Sequence, residues 1–175
     1  AAETATGTYR YQYDAMGNRV ERTGPAGTTR FLVDGLNPTG HSQTLEERDG
    51  AGNLEARYSW ARGMIGIVRG GAPRAPLGDG KGNVGALVNG NGVVTDTYRY
   101  DAYGETLAVS GSTNNAYRYR QEHLDTETGH YYLRARQYAP EQAGFLTRDP
   151  FAGTLEIPLS RHRYLYANAD PVNHL

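Results

Sequence analysis

Residues Tyr98–Gly104 read YRYDAYG, and residues Tyr11–Gly17 read YQYDAMG. The two phrases share alternating tyrosines, then an aspartate, then a glycine three positions on. Alternation puts Tyr11 with Tyr13, and Tyr98 with Tyr100, on one face of an extended strand. Asp14 and Asp101 can bond backbone two residues on and so open a turn. Gly17 and Gly104 can close it where φ must be positive. The phrase is therefore a strand followed by a hairpin turn.

The same grammar recurs along the chain. TYRYQYD places Tyr9 beside Tyr11 and Tyr13. HYYLRARQY places Tyr131, Leu133 and Ala135 on one face and Tyr132, Arg134, Arg136 and Tyr138 on the other. DGAGNLEARYSW, from Asp49, lines up with NGNGVVTDTYRY, from Asn89, at an offset of 40. Asp49-Gly50, Asn89-Gly90 and Asn91-Gly92 are hairpin cues, and Asp125–Gly129 is a turn signal. A unit that cannot bury its aromatic face alone buries it on a neighbour. The pattern predicts an all-β fold of antiparallel β-hairpin repeats with little helix. Tyr11, Tyr100, Tyr119, Tyr132 and Tyr166 are expected to be largely buried. The Gly/Pro-rich run 69–83 reads as a loop holding at most one short strand, and the small, polar N-terminal residues as a frayed end.

Composition agrees. There are 14 Tyr against three Phe and one Trp, and 23 Gly to supply turns. With 18 basic and 19 acidic side chains, no global field steers nucleic acid or an anionic membrane to the chain. No apolar run reaches the 18 residues or so of a membrane span. Cysteine is absent, which excludes disulfides, thiol catalysis and thiolate metal sites. All basic residues but Lys81 are arginine, which stacks well on tyrosine. The length suits one domain or a slice of a larger protein, and the start at Ala1 reads as a piece of a longer polypeptide.

Motifs for small-molecule chemistry are missing. His41, His123, His130, His162 and His174 have no helical i, i+4 pairing, so no metal or cofactor is expected. His123 and His130 read as a surface pair across one hairpin. GDGKGN, residues 79–83 with the glycine before them, lacks phosphate-loop spacing, and no nucleophile elbow is present. Arg/Tyr alternation in YRYR, Tyr117–Arg120, can stack on bases. With the charge balanced, cation–π packing inside the sheet is the favoured reading, and no nucleic-acid partner is expected.

The chain resembles the RHS/YD-repeat family, which includes Tc-toxin C components and teneurin YD shells. The resemblance rests on Tyr13-Asp14 and Tyr100-Asp101, on the repeat from Asp79 to Glu105, and above all on Tyr117 to Leu175. That last stretch carries Glu127-Thr128-Gly129, then Tyr131, Tyr132, Arg134, Arg136 and Tyr138, then Arg148 and Pro150, then Asn168, Pro171, Val172 and Asn173. The resemblance implies hairpins wound into a spiral, shell-like sheet. Residues 1–116 would be YD repeats and 117–175 the RHS core that plugs one end, the two continuous as one structural unit. The shell would enclose a C-terminal toxin payload of the same polypeptide, downstream of further repeats. It would be secreted or held at a bacterial cell surface, exported by a dedicated secretion system, with an immunity protein or secretion-system component as partner. An upstream strand edge left open would self-associate.

The resemblance also implies aspartyl self-cleavage in the longer protein, with Asp149 as one catalytic carboxylate. Two carboxylates at close range share a proton and can act as acid and base. The family's second aspartate falls just beyond Leu175, so these residues alone are expected to be inert. Asp170 occupies a position usually held by asparagine. Ala139 replaces a family aspartate, and the arginine before Phe145 is missing. The plainer reading of Asp149-Pro150 is a turn that ends a strand. An alternative function is a cell-surface adhesion module that holds carbohydrate on its aromatic faces.

Overall fold

The computed structural model describes residues 2–4 and 7–173. Eleven strands form one sheet in strict chain order, every neighbour antiparallel. They are β1 (Ala2–Thr4), β2 (Gly7–Tyr13), β3 (Arg19–Gly24), β4 (Gly27–Asp34), β5 (Gln43–Asp49) and β6 (Leu54–Trp60), followed by β7 (Met64–Arg69), β8 (Ala72–Gly78), β9 (Val84–Asn89), β10 (Val94–Tyr100) and β11 (Thr106–Ser110). A second sheet holds β12 (His123–Asp125), β13 (His130–Leu133), β14 (Arg136–Ala139) and β15 (Gly144–Phe145). Helix is limited to short 3-10 turns at Tyr119–Gln121, Pro140–Gln142, Pro158–Arg161 and Ala167–Ala169. Strand makes up 49% and helix 8%, as the period-two pattern requires.

One turn chemistry recurs at five connections, β2–β3, β5–β6, β8–β9, β9–β10 and β10–β11. Asp14 Oδ1 accepts the Met16 and Asn18 N–H bonds at 2.9 and 2.8 Å. Asp49, Asp79, Asn89 and Asp101 each make the same pair of bonds, to the residues two and four positions on. In each loop the fourth residue is a glycine at positive φ: Gly17, Gly52, Gly82, Gly92 and Gly104. The hairpin cues Asp49-Gly50, Asn89-Gly90 and Asn91-Gly92 thus fall in turns. The first two pairs enter their turns, and the left-handed residue is the later glycine. Seven of the ten ladders carry a bulge, mostly at the turn-proximal end. Each bulge bends its strand and adds right-handed twist, which curls a meander into a spiral.

Gly104 tests this grammar. It sits at φ 90°, and an added Cβ would lie 2.5 Å from Tyr119 Cδ1. Gly17 sits at φ 82° with open space around it. Gly17→Ala should therefore cost about 1 kcal/mol of backbone strain and Gly104→Ala about 2–3 kcal/mol. Thermal melts of both variants check this; equal losses would show that the Tyr119 contact is immaterial.

Three sequence expectations are corrected. The run 69–83, read as a loop holding at most one short strand, contains a full seven-residue strand, 72–78, inside the sheet. Pro73 pairs with β7, outside the stretch that pairs with β9, and Pro76 pairs with β9, outside the stretch that pairs with β7. Each proline thus lies where one ladder is missing, so no bond to its absent N–H is lost. Ala2–Thr4 pairs with β2 rather than fraying. Of the five tyrosines expected to be largely buried, only Tyr119 is; Tyr11, Tyr100, Tyr132 and Tyr166 are half-buried. Full burial falls instead on Tyr9, Tyr58, Tyr98, Tyr117, Tyr131 and Tyr138. The offset of 40 holds: Ala56 and Tyr58 are buried and Trp60 half-buried, as are Asp96, Tyr98 and Tyr100. The inward face is right, but burial fades toward the turn, from Tyr9 through Tyr11 to the exposed Tyr13.

Candidate functional site

The segment from Thr113 to Asp125 packs against five strands of the sheet, meeting β10, β9, β7, β5 and β3 in turn. Thr113 donates from N and Oγ1 to Asp96 on β10, at 2.8 and 2.7 Å. Val84 N–H on β9 donates to the Arg118 carbonyl at 3.0 Å. Met64 N–H on β7 donates to Gln121 Oε1 at 2.5 Å. His123 Nε2 meets Glu47 on β5 at 3.1 Å, and Asp125 meets Arg19 on β3 at 2.5 Å. The segment is a folded strap, not an extended one: Leu124 N–H donates to the Ala116 carbonyl at 2.7 Å, Arg118 N–H donates to the Glu122 carbonyl at 3.2 Å, and Tyr117 bridges antiparallel to His123.

The far end of the strap is held by buried charge. Arg19 and Asp125 are 2% and 0% exposed, and Glu47 and His123 are also buried. Asp125 accepts from Arg19 through one oxygen and from Arg22 through the other, at 3.1 Å. Glu47 accepts from the Tyr58 hydroxyl at 2.7 Å and from Arg69. The Arg19 guanidinium lies over the rings of Tyr132 at 4.3 Å and Phe31 at 4.9 Å. His123 packs edge-on between Phe31 and Tyr117. Every charge has an opposite partner and bonded oxygens, which is the condition for tolerating burial.

This geometry sets the protonation states. Burial opposes ionisation of Asp125, but the Arg19 charge and the His123 bond outweigh it and hold its carboxyl well below the usual range. Burial likewise opposes ionisation of Glu47, but the His123 bond and charge, with Arg69 and Tyr58, pull it down to about 2. Burial would depress His123, yet its bonds to Asp125 and Glu47 raise it above the ordinary imidazole value despite Arg19. When the ring is neutral, Nδ1 can accept from Arg19 Nη2, 3.2 Å away.

A second anchor grips the turn of the opening phrase. Three tyrosine hydroxyls from the C-terminal part donate to consecutive carbonyls of that turn. Tyr119 reaches Ala102 at 2.8 Å, Tyr138 reaches Tyr103 at 2.6 Å and Tyr131 reaches Gly104 at 3.2 Å. Tyr103 returns a bond to the Ala169 carbonyl at 3.0 Å. The YRYDAYG turn is thus the seat on which the second sheet rests.

The RHS Repeat family model matches residues 1–29. The tRNA3(Ser)-specific nuclease WapA of Bacillus spizizenii is 31% identical over 169 residues, covering 93% of this chain and 7% of that protein. The tRNA nuclease WapA of Bacillus subtilis strain 168 matches with the same identity and coverage. Among solved structures, TcdB2-TccC3-Cdc42 superposes with a TM-score of 0.69 at 18% identity, over 95% of this chain and 9% of that one. The chain is an RHS/YD-repeat protein. Its fold is that of an RHS shell segment, and its family relation is to toxins. The Photorhabdus luminescens Tc holotoxin pore shares the fold at a TM-score of 0.51 and 15% identity, over 95% of this chain and 13% of that one. The chain spans only about 7% of the curated relatives it matches.

The RHS motif residues fall into distinct places. Tyr13 is exposed at the edge of its hairpin, while the Tyr100 hydroxyl bonds the Val84 carbonyl at 2.9 Å. Glu127 lies 3.7 Å from Arg22. Thr128 and Gly129 donate their N–H groups to the Asp125 carbonyl. The Tyr132 hydroxyl accepts the Arg19 N–H at 2.9 Å. Arg134 pairs with Glu122 at 2.9 Å. Arg148 and Pro150 are exposed. Asn168 is left-handed at φ 52°. The buried Pro171 gives its carbonyl to Arg120, while Val172 is exposed and Asn173 bonds both oxygens of Asp170. His174 and Leu175 lie outside the described residues.

Asp149 is ion-paired with Arg136 at 3.0 Å and caps its own turn by accepting from Phe151 N–H at 2.9 Å. Arg136 in turn stacks over Phe145 at 3.5 Å. Among the described residues Asp149 makes no contact with a second carboxylate, and no cluster able to hold a metal ion forms. No helix among them is long and apolar enough to cross a membrane. His123 corrects the sequence reading: it is buried in the charge network, paired across the hairpin with Tyr132, while His130 pairs with Asp125. Arg19, Glu47 and Asp125 escaped notice because each is an ordinary surface residue type. The one signal was Glu47, a charge on the face of β5 that carries Leu45.

Proposed function

We propose that this chain is part of the wall and the closing plug of a hollow RHS shell. Residues 1–116 form the wall and 117–175 the plug, and the enclosed payload is the C-terminal part of the same polypeptide. The strap carries the reading. It ties β3, β5, β7, β9 and β10 together through contacts that are dry at the far end, so the sheet cannot splay locally without exposing buried charge. A container needs a wall of that kind. Bulges in most ladders favour the curvature a closed shell requires. The protein is secreted or displayed at a bacterial surface.

Self-cleavage in the longer polypeptide would need a second carboxylate brought to Asp149 and Arg136 moved aside. The test uses the full-length polypeptide. Treated with proteinase K, its part downstream of residue 175 should survive at least about tenfold longer than the same part expressed alone. Digestion at equal rates overturns encapsulation. On the same gels the wild type should run as two fragments and Asp149→Asn as one; cleavage that persists in Asp149→Asn leaves Asp149 a turn residue.

A further inference from the structure

A cleft of about 590 Å³ opens beside the strap, between Trp60 on β6, the Gly80–Gly82 turn, Tyr132 and Leu133 on β13 and Arg134 just after it. That volume is typical of a small-ligand site. Its wall is unevenly charged. Arg62 and Lys81 are exposed, and neither side chain meets a carboxylate among the described residues. Arg120 gives its two Nη groups to backbone carbonyls, those of Lys81 and Pro171. Glu122 is the one carboxylate on the wall, and Arg134 already pairs with it. The Nε of Arg134 is buried with no partner. Three guanidinium or ammonium groups therefore face the cleft region uncompensated, in a chain whose formal net charge is −1.

Aromatic rings supply one part of the wall, beside the polar Asn18, His41, Ser42, Gln43 and Gln121. Trp60, Tyr132 and Tyr166 are half-buried there, with Leu133 between them in the lining. Trp60 has donated its Nε1–H to the Thr44 carbonyl at 2.7 Å. What its indole has left to offer is its face. Uncompensated cations at the rim of an aromatic wall attract an oxyanion and hold a planar group behind it. The cleft is too small for a polymer track, and its one carboxylate, Glu122, is already paired with Arg134. We infer that it binds a small ligand bearing one phosphate or carboxylate on a flat apolar body.

Trp60 is the only tryptophan of the chain, so its emission reports the cleft alone. The probes are adenosine 5′-monophosphate against adenosine, and N-acetylphenylalanine against its amide. At least one anion should change Trp60 emission saturably, with its neutral partner at least about tenfold weaker. The nucleotide pair and the amino-acid pair separate phosphate from carboxylate as the favoured source. The double substitution Arg62→Ala with Lys81→Ala lies on the exposed rim and should leave the melting point in place while weakening the anion about tenfold or more. Three results overturn the inference: no saturable change with either anion up to about 10 mM, equal response to charged and neutral partners, or unchanged affinity in the double variant.

Discussion

Asp125→Ala should lower the unfolding free energy by about 3–5 kcal/mol, the cost of stranding a buried charge. Arg19 is 2% exposed, and that substitution leaves its guanidinium facing rings and His123 with no carboxylate. Arg22 loses its closest oxygen as well. A urea titration measures the loss as a shift of midpoint at constant slope. The double variant Arg19→Met with Asp125→Leu removes both charges and should regain most of what the single variant lost, because a buried pair often does little better than well-packed apolar side chains. A single variant that loses less than about 1 kcal/mol would mean that the pair is solvated and the strap's end is loose.

Acid should unfold this protein steeply. Glu47 is held at about 2 in the fold against 4.5 when free. Its contribution is fully present above about pH 4.5 and is lost as pH falls toward 2, worth on the order of 3 kcal/mol. Asp125 is depressed in the same sense and adds to the same limb. His123 runs the other way. Its folded value lies above 6.5, so its contribution is complete below that and fades as pH rises through the folded value. The alkaline loss should be the smaller of the two, since neutral His123 can still accept from Arg19. Denaturation midpoints from pH 2 to 9 trace both limbs. Glu47→Gln should flatten the acid limb; an unchanged slope in that variant would place the acid sensitivity elsewhere.

Strand and turn were legible because their causes are local. Tyr-x-Tyr needs only the two-residue period of a strand to share a face, and Asp-x-x-Gly needs only its own backbone to fold back. Family membership was legible for a related reason: Glu127-Thr128-Gly129 and Tyr131 to Tyr138 are read in order along the chain. Local signals also misled. The glycines and prolines of residues 69–83 marked a loop, yet Pro73 and Pro76 fit a central strand because each meets only one neighbour.

The strap is different. Arg19 and Asp125 stand more than a hundred positions apart, and nothing near either one marks it for burial. Glu47, His123 and Arg69 carry the same ambiguity, since a charged side chain is at home in water unless the chain returns to cover it. The repeat by itself determined a curling antiparallel meander, five of whose turns close on an aspartate or asparagine and a glycine three positions on. Only the tertiary structure decided which tyrosines go dry, which turn seats the second sheet and which charges lie under the strap. Those outcomes depend on a folded segment that meets strands far apart in sequence, where long-range desolvation and pairing override local preference.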